Sequence, residues 1–250
     1  MRPSSDFRRI APAATPPRRP SAPAGGRRRL ALALLAFAAM NEAKAEAPPL
    51  HIVAFGTSLT ARGGWQPDLR QALAACLGRD VAITTVARSG STSAWALANV
   101  ETVVAARPDI VLVEFSVNDA ALDRLTTPGR SRAAMAAVLG RLREGLPDAR
   151  VFSMAMNPIH GLRGLMRPFL DSYVEAHRRI AAGLGQGFID FRPFWAEFSD
   201  AALARMIPDG AHPQPEAASA IMVPRLVEVL SEGRCPAGRE HQGAPGRVDQ

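Results

Sequence analysis

Short apolar runs alternate with longer stretches of helical periodicity along most of the chain. The apolar runs predict five strands, at 50–55, 81–87, 109–115, 150–155 and 187–191. Most of these runs do not alternate strictly between apolar and polar residues, which is typical of parallel strands covered on both faces. The intervening and following stretches predict five helices, at 66–77, 93–106, 130–145, 168–184 and 214–230.

This alternation of strands and helices predicts an α/β fold. Repeated β-α-β units bring parallel strands into one sheet and place helices on both of its faces. We therefore expect a three-layer α/β/α sandwich, with a flavodoxin-like, doubly wound, parallel five-stranded sheet. Ligands of such sheets bind beyond the carboxyl ends of the strands. Reactive side chains that directly follow a predicted strand are consequently the first candidates for a functional site.

Two segments at opposite ends of the chain carry the groups of activated-serine chemistry. Ser58 lies three residues beyond the first predicted strand, and Asp209 precedes His212 by three residues. A serine hydroxyl, an imidazole base and a carboxylate that orients the imidazole form a nucleophile, base and orienter. Each residue alone has a simpler interpretation. Ser58 could cap a helix, Asp209 could be a turn residue, and His212 could be a structural histidine.

The exits of the next two predicted strands add hydrogen-bond donors. Gly90 follows the second strand, and without a side chain its backbone N–H can approach a ligand closely. Asn118 follows the third strand and offers a side-chain amide. Both are donor types that an oxyanion hole requires.

Other residues near strand ends have less specific interpretations. We expect Asp119, next to Asn118, to fix the loop rather than to take part in catalysis. Trp65, Trp95 and Met156 could line an acyl or sugar pocket, with packing in the core as an equal alternative.

One known family has the same four residues in the same order, each in its own sequence block: Ser58, Gly90, Asn118 and His212. The chain therefore resembles the SGNH (GDSL-type) hydrolases from about residue 52 to about residue 224. Two positions depart from the usual blocks. Thr57 replaces an aspartate in the first block, and Ser116 replaces a glycine in the third. Neither change removes a catalytic group.

The resemblance implies an enzyme that cleaves acyl esters through an acyl-enzyme, without a metal or an organic cofactor. Its implied catalytic residues are Ser58, Asp209 and His212, and its implied oxyanion hole consists of Ser58, Gly90 and Asn118. The implied substrate is a small-molecule, glycan or lipid ester. One alternative is a carbohydrate O-deacetylase that acts on acetylated polysaccharide. Another is a non-catalytic glycan- or lipid-binding module that has kept the fold.

The charge of the chain is unevenly distributed. Its formal net charge of +7 would be compatible with a nucleic-acid partner. However, residues 1–45 hold nine basic and two acidic residues, and the rest of the chain holds 21 of each. The basic excess therefore belongs to the N-terminal leader, and we expect no nucleic-acid partner.

The leader has the order of parts found in an export signal. Three arginines at 27–29 precede the apolar run 30–40, which is too short to span a bilayer. Residues 43–45, Ala-Lys-Ala, match the small-x-small cleavage pattern. We therefore expect a periplasmic or secreted protein without a stable membrane anchor after cleavage. An uncleaved anchor helix is the alternative.

These features divide the chain into a leader with an export signal (1–45), an SGNH-type hydrolase domain (46–231) and a tail (232–250) that we expect to be disordered. An exported protein could pair its two cysteines, Cys76 and Cys235. Because Cys235 lies in the Pro- and Gly-rich tail, we favour two unpaired thiols. The sequence leaves the oligomeric state open.

Overall fold

The computed structural model describes residues 48–235, so the predicted leader and residues 236–250 of the predicted tail lie outside the described residues. The strands are β1 Leu50–Gly56, β2 Val81–Ala87, β3 Ile110–Val113, β4 Arg150–Ala155 and β5 Gly187–Asp190. The long helices are α1 Gln66–Leu77, α2 Ser93–Ala105, α3 Pro128–Gly145, α4 Leu170–Gly183 and α5 Pro215–Leu230. Short helices occupy Ser58–Ala61, Ser116–Asp119, Leu122–Arg124 (3-10), Gly161–Leu165, Arg192–Trp195 and Asp200–Met206.

The strands form one parallel sheet in the order β2-β1-β3-β4-β5. This is the flavodoxin-like order, so the predicted fold class is confirmed. β1 lies between β2 and β3. Phe55, near its carboxyl end, pairs with Val86 of β2 and with Val113 of β3. The segments that leave these three strands therefore start side by side at one edge of the sheet.

Helices cover both faces of the sheet. Ile52 and Ala54 of β1 face α1 and α5, where they join a buried apolar cluster with Leu69 and Leu226. Val53 and Phe55, the alternate residues of β1, face the opposite layer, which contains α2, α3 and α4. Because both faces of each central strand are buried, the sequence shows continuous apolar runs instead of alternation.

Local polar contacts explain where the predicted boundaries differ from the observed ones. β3 ends at Val113 rather than at 115, because Glu114 turns away from the ladder after its N–H donates to Phe55 O at 3.0 Å. α3 begins at Pro128 rather than at 130, because the Thr127 side chain caps it by accepting from Arg130 N. A proline in the first turn loses no helical hydrogen bond.

The structure contains a disulfide between Cys76 and Cys235, with the two Cα atoms 6.1 Å apart. The prediction of two unpaired thiols is therefore wrong. Cys76 lies near the end of α1, and Cys235 lies in the turn that follows α5. Because α1 and α5 pack on the same face of the sheet, their ends come close together. Residues 232–235 of the predicted tail thus belong to this turn.

Candidate active site

The turn after β1 presents the candidate nucleophile. Thr57 caps the short helix that begins at Ser58, because its hydroxyl oxygen accepts from Leu59 N at 3.3 Å. Ser58 is largely buried, and its Oγ lies 2.8 Å from His212 Nε2. A hydroxyl at this distance can donate its proton to an unprotonated imidazole nitrogen.

His212 lies in the loop before α5, on the other side of the cleft. Its Nδ1 lies 2.7 Å from Oδ2 of Asp209. Oδ1 of the same carboxylate accepts from the backbone N–H groups of Ala211 (2.9 Å) and His212 (2.7 Å). Gly210 allows this tight turn with a φ of 77°. The contact with Asp209 assigns the proton of a neutral ring to Nδ1, which leaves Nε2 without a proton and able to accept from Ser58. Arg62 Nη2 also lies 3.1 Å from Nε2.

The carboxyl of Asp209 is held in its ionised form. Partial burial alone would raise its pKa. The hydrogen bonds from the His212 ring and from the backbone N–H groups of His212 and Ala211 outweigh this effect and hold the pKa well below its usual range. Asp209 therefore remains a negative charge that can stabilise a protonated His212 ring.

Asn157, in the segment that follows β4, fixes the loop that carries His212. Its Nδ2 donates to Ala211 O and to Pro158 O, both at 2.9 Å. The side chain is buried. The sequence analysis missed Asn157. The signal was available, because Asn157 lies just beyond a predicted strand, as Asn118 does.

The candidate oxyanion donors line one cavity with Ser58. Gly90 has a φ of 76°, which favours glycine. The backbone N–H groups of Ser58 and Gly90 have no acceptor within residues 48–235. One N–H of the Asn118 amide donates to Ser91 O at 2.9 Å, and the other has no acceptor in the same part of the chain. Three donors are thus available beside the Ser58 hydroxyl.

Asp119 anchors the loop of Asn118 rather than joining this set. It is fully buried, and it accepts from Ser93 N at 2.8 Å and from the Ser131 hydroxyl at 2.6 Å. Ser131 Oγ is also 2.9 Å from Nε2 of the buried His177. These contacts attach the exit of β3 to α2, α3 and α4.

A second buried carboxyl lies beneath the candidate nucleophile. Glu114 accepts from the backbone N–H of Thr57 and from the Thr60 hydroxyl, and the Thr57 hydroxyl lies 3.0 Å from both of its oxygens. Complete burial raises the pKa of Glu114 to about 7, against the opposing effect of these hydrogen bonds. An aspartate at position 57 would set two carboxylates against each other, whereas threonine provides a hydroxyl donor.

The cleft at Ser58 has two parts with different linings. One is a cavity of about 190 Å³ whose walls include Trp65, Met156 and Met222. The other, of about 290 Å³, contains the donors described above. Trp95, the third candidate for a pocket wall, packs against Phe55 on the opposite face of the sheet.

The described residues contain neither a metal-binding cluster nor a membrane-spanning helix. No group of three or more His, Cys, Asp or Glu side chains between residues 48 and 235 is arranged to hold a metal ion. In the same range, no helix is long and apolar enough to cross a membrane.

Comparison with known proteins assigns the chain to a class. The model of the GDSL-like lipase/acylhydrolase family matches residues 54–220, and the chain belongs to that family. It is an enzyme that hydrolyses ester bonds. No curated protein sequence matches the chain.

Solved structures share the fold at low sequence identity. An acetylxylan esterase from Geobacillus stearothermophilus superposes with a TM-score of 0.61 at 18% identity, over 76% of this chain and 95% of that one. An α/β hydrolase enzyme from the metagenome of Lake Arreo, Spain, superposes with a TM-score of 0.63 at 19% identity, over 76% of this chain and 97% of that one.

The raised pKa of Glu114 predicts a pH-dependent contribution to stability. A carboxyl with a pKa of about 7 in the folded state, against an ordinary 4.5, stabilises the fold fully below pH 4.5. This contribution is lost as the pH rises through 7. From pH 5 to pH 8, wild type should therefore lose about 2–3 kcal/mol of unfolding free energy relative to Glu114→Gln.

Urea denaturation of both proteins at the two pH values measures this difference. Glu144→Gln, at an exposed position on α3, controls for the loss of one negative charge. Equal pH dependence in wild type and Glu114→Gln would contradict the prediction.

Proposed function

We propose that the protein is a serine ester hydrolase that works through an acyl-enzyme intermediate. The observation that carries the proposal is the series of short contacts from Ser58 Oγ to His212 Nε2 (2.8 Å) and from His212 Nδ1 to Asp209 Oδ2 (2.7 Å). Ser58 attacks the acyl carbon while His212 takes its proton. His212 then gives that proton to the leaving alcohol, and Asp209 stabilises the imidazolium in between.

Negative charge develops on the carbonyl oxygen during this attack. The N–H groups of Ser58 and Gly90 and the amide of Asn118 are free donors at the same cavity, and we assign them to the oxyanion. Water attacks the acyl-enzyme in the second half of the reaction with His212 again as base. None of these steps requires a metal or an organic cofactor.

A carbohydrate O-deacetylase is the second candidate function. It is favoured by the fold shared with an acetylxylan esterase, although the identity is only 18%. The same serine chemistry serves an acetyl ester on a sugar, so the two candidates differ in substrate only. A non-catalytic binding module has no support, since the family is one of ester hydrolases.

We further propose that the mature enzyme is periplasmic or secreted. The export-like leader supports this location. The disulfide between Cys76 and Cys235 adds support, because disulfides persist mainly in oxidising compartments.

The nucleophile can be tested by covalent labelling. A fluorophosphonate should phosphonylate Ser58 in the wild type, because only a serine activated by a base reacts readily with it. Ser58→Ala should lose both the label and ester hydrolysis while it keeps the melting temperature of wild type within a few degrees. Peptide mapping that finds the label on Ser89 or Ser116 instead would overturn the assignment.

Asn118 should act on the transition state more than on substrate binding. Removal of one oxyanion donor typically lowers kcat by about 10²–10³-fold, or ~3–4 kcal/mol, so this is the loss expected for Asn118→Ala. KM should change little, because the uncharged carbonyl gains little from the contact.

Steady-state kinetics on a simple acetyl ester provide the measurement for Asn118. Asn99→Ala, on α2, removes an amide that donates only to Trp95 O and serves as the matched control. A large rise in KM with an unchanged kcat would mean that Asn118 binds substrate rather than the oxyanion.

Processing and oxidation can be read from the exported protein itself. Its N-terminal sequence should begin at Glu46, after the Ala-Lys-Ala site. A thiol reagent applied without reductant should modify neither Cys76 nor Cys235. An intact leader on a membrane-bound form would contradict the proposed location.

A further inference from the structure

Four arginines surround the part of the cleft that contains the oxyanion donors. We call them the arginine cluster: Arg62, Arg124, Arg163 and Arg167. They come from three segments: Arg62 follows the short helix after β1, Arg124 ends the 3-10 helix, and Arg163 and Arg167 lie four residues apart in and after the helix Gly161–Leu165. No acidic side chain lines this cavity with them. The chain beyond residue 45 has equal numbers of basic and acidic residues. The cluster is therefore a local concentration of positive charge and not the result of a basic domain.

The cluster is incompletely neutralised by the protein's own carboxylates. Arg124 Nε lies 3.6 Å from a half-exposed Asp123, and Arg163 Nη2 lies 3.4 Å from Asp209, which already holds His212. Such exposed pairs contribute little. Arg62 and Arg167 form no ion pair with any residue between 48 and 235.

Hydrogen bonds to backbone carbonyls hold Arg167 in place despite the positive charge of the neighbouring arginines. Its Nε donates to Val117 O at 2.8 Å and its Nη1 donates to Arg163 O at 2.9 Å. Partial burial lowers its pKa; Asp123 opposes this effect, and Arg163 and Arg124 add to it. An anion bound beside Arg167 would reduce the free-energy cost of keeping this cation partly buried.

The position of Arg124 shows how close the cluster lies to the candidate oxyanion donor Gly90. A Cβ atom built on Gly90 would lie 3.3 Å from Arg124 Nη2, so the guanidinium rests directly against this glycine. Because the N–H of Gly90 is a candidate oxyanion donor, a negative group bound by Arg124 would lie close enough to the reacting carbonyl to belong to the same small substrate.

Arg62 contacts His212, the residue that we assign as the base of the reaction. Its Nη2 lies 3.1 Å from His212 Nε2, the atom that also accepts from Ser58 Oγ. Once Nε2 carries a proton, it can no longer accept from a guanidinium. A negative group on the substrate would draw Arg62 away from Nε2 and leave this atom to the serine proton.

We propose, resting on the serine hydrolase function above, that the substrate is an anionic ester. A carboxylate or phosphate group of the substrate binds the arginine cluster while its ester carbonyl lies at Ser58. The other part of the substrate is uncharged and enters the apolar part of the cleft at Trp65 and Met222. Arginine binds both kinds of anion through paired N–H donors, so the chemistry is shared.

Matched pairs of esters test the proposal. The first pair is 4-acetoxybenzoate and 4-acetoxybenzamide, which differ in charge on the alcohol side. The second is mono-4-nitrophenyl glutarate and 4-nitrophenyl valerate, which differ in charge on the acyl side. 4-Acetoxyphenyl phosphate separates phosphate from carboxylate. In at least one comparison we expect kcat/KM to be about 10-fold or more higher for the anionic ester, after subtraction of the uncatalysed rate.

The variant Arg124→Met keeps an unbranched apolar side chain similar to the aliphatic part of arginine and removes the guanidinium charge. It should reduce the ratio of anionic to neutral kcat/KM by about 10-fold. Arg141→Met is the matched control, because Arg141 pairs with Glu101 on the surface at α2 and α3 and should leave the ratio unchanged. Added salt should lower the ratio for wild type more than for Arg124→Met.

The outcomes separate this proposal from the serine mechanism on which it rests. If Ser58-dependent hydrolysis occurs without preference for an anionic ester on either side, the anionic substrate is refuted and the serine mechanism stands. If Arg141→Met lowers the ratio as much as Arg124→Met does, the preference comes from the overall charge of the protein and not from binding by the cluster. That result would overturn the proposal. If Ser58 takes no fluorophosphonate and its removal spares hydrolysis, the serine mechanism itself fails.

Discussion

The pairing of β1 with β2 on one side and with β3 on the other is the constraint on which the site depends. Phe55 lies level with Val86 and with Val113, so β2 and β3 leave the sheet one strand spacing to either side of β1. Ser58 and Asn118 reach the same cavity for this reason. A shift of register by one residue would exchange the buried faces of a strand and separate these segments.

Below that edge, Glu114 links the exit of β3 to the turn of β1. Its hydrogen bonds with Thr57 and Thr60 fix the turn on both sides of Ser58. Burial of the carboxyl is costly, as its raised pKa indicates. The hydroxyl of Thr57 can donate to an ionised carboxyl or accept from a protonated one, so it suits both states. The nucleophile is thus positioned by a polar network, at some cost in stability.

The sequence could predict the features that depend on local pattern. Apolar runs predicted all five strands, and the order of loops at strand exits selected Ser58 and Asn118. The disulfide was missed because its two cysteines, 159 residues apart, approach only when α1 and α5 pack together. Glu114 was hidden at the end of an apolar run, where the pattern gave no reason to expect a turn toward Thr57. The arginine cluster has no sequence signature, since its members come from three segments that lie far apart in the sequence.

Charge around the oxyanion donors affects more than substrate binding. Guanidinium groups close to Gly90 favour any state in which the carbonyl oxygen is negative, because charges interact strongly in a partly enclosed cleft. One guanidinium of the cluster, that of Arg62, also lies 3.1 Å from His212 Nε2, the atom that must receive the serine proton. Asp209 contacts the other ring nitrogen, Nδ1, at 2.7 Å. The proposed negative group of the substrate would give Arg62 another partner and leave Nε2 to the serine. It would also reduce the positive charge beside the oxyanion, so the N–H donors of Ser58, Gly90 and Asn118 would carry most of the stabilisation of that charge.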